Sequence, residues 1–236
     1  MATAAKNNIY AMGKRVIILG TPHGVNVLGK RSPDKRLEEY AYGRKVVQEL
    51  KRQLESDGYT VLVDIASDYV PPKQEVELKL RCDIVNALCA KYGNENCIYV
   101  SVHVNAAGSD GKWHKAGGWC AYTSVGKTKA DELAECLYEA AHEHLRGYED
   151  CMTVCQANGV GYDQKQRPYR TDKVSDGDSD LEKNYYVLKN TACPAVLTEN
   201  LFMDNETDVD FLLDEQGFNA IVNLHKEGIV RYIANN

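Results

Sequence analysis

"CIYVSVHVNAAG", residues 97–108, decides how this chain is read. Ile98, Tyr99, Val100, Val102 and Val104 are β-branched or aromatic, the composition of a strand buried in a sheet. His103 and Asn105 break that pattern near its end. A buried polar group without a partner costs free energy, so an imidazole there needs a reason.

Working outward, similar apolar runs recur at "RVIILG" (15–20), "YTVLVD" (59–64), "GGWCAYTS" (117–124) and "CPAVLTEN" (193–200). Helical patterns occupy 37–57, 74–91 and 127–147, and another over 216–233 closes the chain. Val47, Leu50 and Leu54 keep a three-to-four spacing, and Val76, Leu80, Ile84 and Leu88 recur every fourth residue, so each helix is expected to present one core face. Strands alternating with helices predict a single α/β domain, a mostly parallel or mixed twisted sheet of about six strands with helices on both faces. Residues 1–14 read as an N-terminal extension and 15–236 as the folded domain. The polar stretches 21–37 and 156–184, rich in Gly, Asp and Lys, read as long surface loops, the second an insertion.

With 44% hydrophobic and 26% charged residues, the composition is that of an ordinary globular protein. The longest apolar runs, such as "VIILG", fall far short of the roughly 20 residues of a membrane helix. No apolar segment precedes a small-residue cleavage site at the N-terminus, so no secretory signal is legible and the chain as written is expected to stay in the cytoplasm. A net charge of -6 offers no basic footprint for nucleic acid. The eight cysteines contain no CxxC pair and mostly sit in apolar patterns, which predicts reduced core residues; Cys151 and Cys155, four apart, are the one local pair.

In open α/β sheets ligands gather beyond the carboxyl ends of the strands. His103 ends its strand, His23 follows "VIILG", Glu199 ends "PAVLTE", and Glu39 opens the helix that leaves the first loop. Singly, each has a plainer reading. A histidine at a strand end is more often a hydrogen-bonded structural residue, as expected for His114, His142, His144 and His225, and Glu39 suits a helix N-terminus. Glu199 is harder to dismiss, because a carboxylate at the end of a central strand is costly unless paired or functional. Convergence favours chemistry: two His and one Glu form the ligand set of catalytic zinc sites, and a further carboxylate can move the proton of an attacking water.

These motifs resemble, over about residues 15–233, the catalytic domain of zinc-dependent N-acetylmuramoyl-L-alanine amidases, the bacterial and phage cell-wall hydrolases. "ILGTPHG" is similar to the strand and ligand histidine of that family, "LEEYAYGRKVVQELKRQLESDGYTVLVD" to its Glu-led helix and following strand, and "YVSVHVNA" to its signature strand. "ELKLRCDIVNA" resembles a helix whose Arg and Asn, here Arg81 and Asn86, are structural. "VLKNTACPAVLTENLFMDNETDVDFL" resembles the motif that carries the catalytic acid/base. The chain departs from the family in "LGTPHGVN", which lacks an Asp before and a Gly-Gly after the histidine, and in "ENLF", which lacks a glycine.

The resemblance implies one Zn2+ on His23, Glu39 and His103, with Glu38 the alternative in register, and Glu199 as general base and acid. Asn105 is a candidate for positioning substrate. The implied reaction is hydrolysis of the amide between N-acetylmuramic acid and L-alanine in peptidoglycan, on the cell wall after release or export; the sequence does not name the oligomeric state, and a monomer is favoured. The alternatives are a zinc metallopeptidase or carboxypeptidase, or a catalytically silent wall-binding domain.

Overall fold

The computed structural model describes residues 15–146, 161–162, 169–172 and 177–236. The expected 1–14 extension, Cys151, Cys155 and much of the 156–184 stretch lie outside the described residues.

Strands β1 (Val16–Gly20), β2 (Thr60–Val63), β3 (Cys97–Asn105), β4 (Cys120–Thr123), β7 (Leu181–Glu182) and β8 (Ala195–Phe202) form one sheet in the order β2-β1-β3-β8-β4-β7. β2, β1, β3 and β8 run parallel, while β4 lies antiparallel to β8 and carries β7 alongside it. β5 (Gly161–Tyr162) and β6 (Arg170–Thr171) make a separate antiparallel pair. The expected α/β class, six-stranded mixed sheet and single domain are what the chain adopts.

Helices cover both faces. α1 (Glu39–Ser56), α3 (Lys129–His144), α5 (Glu206–Leu213) and α6 (Glu215–Asn235) enclose the larger core, into which β3 sends Ile98, Val100, Val102 and Val104. α2 (Gln74–Tyr92) and the short α4 (Tyr186–Lys189) cover the other face, where Cys97, Tyr99 and Leu197 point. Because side chains alternate along a strand, His103 follows Tyr99 and Ser101 onto that second, thinly covered face.

Two expectations need correction. On α1 the predicted stripe of Val47, Leu50 and Leu54 is buried, but on α2 Val76 and Leu80 are 51% and 38% exposed. A strict four-residue repeat drifts about 40° per step against the 3.6-residue turn, so Val76 and Leu88 cannot share one face. The inward positions of α2 are instead Glu77, Arg81, Cys82, Val85 and Cys89. Nor are the long polar stretches merely surface loops: Tyr169, Arg170, Thr171, Ser179 and Asp180 are buried, and β7 extends the main sheet. In the earlier stretch Thr21, Pro22, Gly24, Ser32 and Leu37 are buried too. Cys82, Cys89, Cys97, Cys120, Cys136 and Cys193 are free and buried, as expected.

Candidate metal centre

His23, Glu39 and His103 come together at the carboxyl end of β1 and β3, with one donor atom from each within 4.8 Å of the others. His103 Nδ1 lies 3.2 Å from Glu39 Oε1, and His23 Nε2 lies 4.0 Å from Glu39 Oε2. The two imidazoles meet edge-on with centroids 5.7 Å apart. Glu38 caps α1 from outside and reaches toward Arg31, so the register alternative faces away from the cluster.

Each side chain is fixed from behind. His103 Nε2 lies 3.0 Å from Ser101 Oγ, two residues back on the same face of β3. The Val104 N–H donates to Glu39 Oε1 at 3.3 Å, tying helix α1 to the strand rim. His23 stands on an irregular segment whose carbonyls are clamped by buried arginines: Arg44 donates to His23 O at 2.7 Å and Arg81 to Pro22 O at 3.1 Å. Gly43 lets α1 approach that segment, since a β-carbon there would come within 2.4 Å of Pro22 Cγ.

Behind His23 runs a charge relay. His23 Nδ1 faces Glu77 Oε2 at 4.0 Å, Arg81 donates to Glu77 Oε1 at 2.9 and 3.1 Å, and Arg81 donates to Asp64 Oδ2 at 2.6 Å. The Tyr99 hydroxyl donates to the same Asp64 oxygen at 3.0 Å. A carboxylate behind an imidazole fixes its tautomer and raises its basicity, which is how metal-bound histidines are usually held. Glu77 was not legible as a site residue; its signal was the inward Glu77–Arg81 pair at i,i+4, hidden by the apolar stripe beside it.

Glu199 pairs in register with His103 across the parallel β3–β8 ladder, so both point into the same cavity of about 300 Å³. The ladder bulges just beyond: three residues of β3 from His103 to Asn105 face four of β8 from Glu199 to Phe202. Leu201 supplies the bulge at φ +62, in the left-handed region where the missing glycine would be at ease. Asn200 bridges it, donating to His103 O and accepting from the Trp119 indole, both at 2.9 Å. Asn105 lines the cavity, but its side-chain oxygen accepts from the Ala106 N–H at 2.8 Å.

Burial raises the Glu199 carboxyl well above the usual carboxylate range, and the Glu39 charge adds to that. For Glu39 burial also pushes upward, but the His103 hydrogen bond and the two imidazole charges outweigh it and the carboxyl is lowered. Burial is the largest influence on His103 and lowers it, against the upward pull of Glu39. Glu39 Oε2 and Glu199 Oε2 are both buried without a hydrogen-bond partner. An orphaned carboxylate oxygen beside two imidazoles is a donor set that suits a divalent cation. Three other histidines are engaged elsewhere: His225 with Thr198 and Ile221, His114 with Asp110, and His142 against Tyr169.

Comparison with known proteins agrees with this arrangement. The chain is 30% identical over 140 residues to the endolysin of Bacillus phage SPP1, covering 58% of this chain and 40% of that one. It is 26% identical over 177 residues to the N-acetylmuramoyl-L-alanine amidase CwlM of Bacillus licheniformis, covering 75% and 52%. The chain thus spans about half the length of these relatives, or less. The fold resembles that of the CwlD amidase from Clostridioides difficile, solved in complex with the GerS lipoprotein, with a TM-score of 0.68 at 21% identity over 94% of this chain and 100% of that one. The family model described as N-acetylmuramoyl-L-alanine amidase matches residues 17–231, and by that match the chain belongs to the N-acetylmuramoyl-L-alanine amidase family.

Proposed function

We propose that the protein hydrolyses the amide joining the lactyl group of N-acetylmuramic acid to L-alanine in peptidoglycan, with zinc held by His23, Glu39 and His103. The observation that carries this reading is the placement of Glu199, whose Oε2 is buried and unpartnered, in register with His103 beside that donor set. Zinc, when bound, supplies a Lewis-acid charge that polarises a carbonyl and makes water acidic enough to attack near neutral pH.

The protein's own groups do the rest. Glu199 Oε2 is the free proton acceptor of the cavity, so it takes the proton of the attacking water and returns it to the L-alanine nitrogen as the amide breaks. Burial raises its affinity for protons, and a carboxyl so placed can act first as base and then as acid. Ser101 and Glu77 hold the two imidazoles from turning, and Asn200 locks β8 to β3 so that the distance between Glu199 and the donors is kept. Asn105 at the rim contacts the substrate beside the scissile amide. Among the described residues no helix is long and apolar enough to cross a membrane.

Mass spectrometry of digested sacculi, with and without a chelator, tests the proposal. New N-terminal L-alanine on free stem peptides, lost with the chelator and restored by zinc, is the expected result. Cleavage within the stem peptide would instead make the protein a metallopeptidase, and no cleavage at all would leave it a wall-binding domain.

A further inference from the structure

The metal cavity opens into a second cleft of about 500 Å³, and Lys30, Ala106 and Met203 border both. The walls of this cleft carry Lys30, Arg31, Lys35 and Lys112, a concentration of cations on a chain whose net charge is -6. Arg31 reaches Glu38 at 3.5 Å, whereas Lys30, Lys35 and Lys112 have no ion pair among the described residues. The carboxylate that lines the cleft, Asp204, accepts from the Ala107 and Gly108 N–H groups at 2.8 and 2.9 Å, so it neutralises none of these lysines directly. Nearby Asp110 is engaged by His114 at 2.9 Å. The turn that bears Lys35 is closed by its N–H donating to Ser32 O at 2.9 Å.

We infer that this cleft binds the carboxylates of the stem peptide on the leaving side of the scissile amide, and so fixes which way the substrate lies. The inference rests on the amidase reading. On the acyl side of that amide the substrate has no charge, because the lactyl carboxyl of the muramic acid is consumed in the bond and the sugars are neutral. On the amine side, the residue after L-alanine is a γ-linked D-glutamate with a free α-carboxylate, and the peptide ends in another. One residue of extended chain spans about 3.5 Å, so the first carboxylate emerges where Lys30 borders both cavities. Lys35 and Lys112 then face the chain that follows. A different part of the metal cavity is walled by Gln74, Leu78, Tyr185 and Val187, without an unpaired cation, which suits sugar rings.

The test is a binding titration on the zinc-loaded protein with the tripeptide L-Ala-γ-D-Glu-L-Lys and the same peptide with its glutamyl α-carboxylate amidated. A charge-assisted contact of this kind is expected to favour the free acid about tenfold, and less so at high salt. In the Lys30→Gln variant the two peptides should bind more nearly alike, with the amidated peptide little affected. Equal binding of both peptides to the unaltered protein overturns the inference, as does a preference that survives undiminished in the Lys30→Gln variant. Tighter binding of poly(glycerol phosphate) than of the peptide, lost in the same variant, also overturns it and gives the cleft to a phosphate polymer. Peptide discrimination without any amide cleavage would instead fault the amidase reading and leave the cleft standing.

Discussion

His103 and Glu199 occupy the same register on adjacent parallel strands, so an imidazole and a half-buried carboxyl leave the sheet together on one face. Their separation is set by the backbone ladder, which is stiffer than any loop could be. Glu199→Gln keeps the shape of the side chain and removes its proton transfer. Hydrolysis of purified peptidoglycan should fall by about 10²- to 10⁴-fold. Zinc content, by elemental analysis, should remain that of the parent, whereas His103→Ala should lose both metal and activity. Full activity in Glu199→Gln would remove this residue from the mechanism.

Glu77 acts on the metal through His23. Glu77→Gln keeps the volume but takes away the charge that faces His23 Nδ1 and pairs with Arg81. Zinc affinity, measured by competition with a chromogenic chelator, should weaken about 10- to 100-fold, the usual effect of removing such a partner. An unchanged affinity would make Glu77 only a partner of Arg81.

Leu201 tests strain against packing. The left-handed backbone costs a leucine about 1–2 kcal/mol that glycine would not incur. Leu201 is nevertheless fully buried, and truncating such a side chain costs about 2–5 kcal/mol. Leu201→Gly should therefore lower stability by about 2 kcal/mol, read from denaturant midpoints. A gain in stability would show that strain at the bulge outweighs the packing.

His225 makes stability depend on pH. Its Nδ1–H donates to Ile221 O at 2.7 Å and its Nε2 lies 2.8 Å from the Thr198 hydroxyl, and burial pushes its pKa down to about 4. The unfolded chain, with an ordinary histidine pKa of about 6.5, binds more protons below that value. Stability is thus unaffected by this residue above about pH 6.5 and falls as pH drops toward 4, by about 2 kcal/mol at pH 5. Thermal melts across that window should show a flatter pH dependence in His225→Gln than in the parent chain. Parallel curves would mean that His225 does not carry the effect.

The sequence by itself determined a good deal. The β-branched run ending in His103, the alternation of strands and helices, and polar residues placed after strands were enough to predict the α/β sheet and the convergence of His23, Glu39, His103 and Glu199. They were legible because strand and helix periods are local properties, and because a strand end in a parallel sheet always opens on the same rim. The tertiary structure alone decided what stands behind that rim. Glu77, Ser101 and Asn200 take part through contacts between elements distant in the chain, and the inward face of α2 was chosen by the ion network it buries rather than by its apolar stripe. The same holds for the basic cleft, whose lysines at 30, 35 and 112 are scattered in sequence and meet because the loops after β1 and β3, neighbouring parallel strands, leave the sheet side by side.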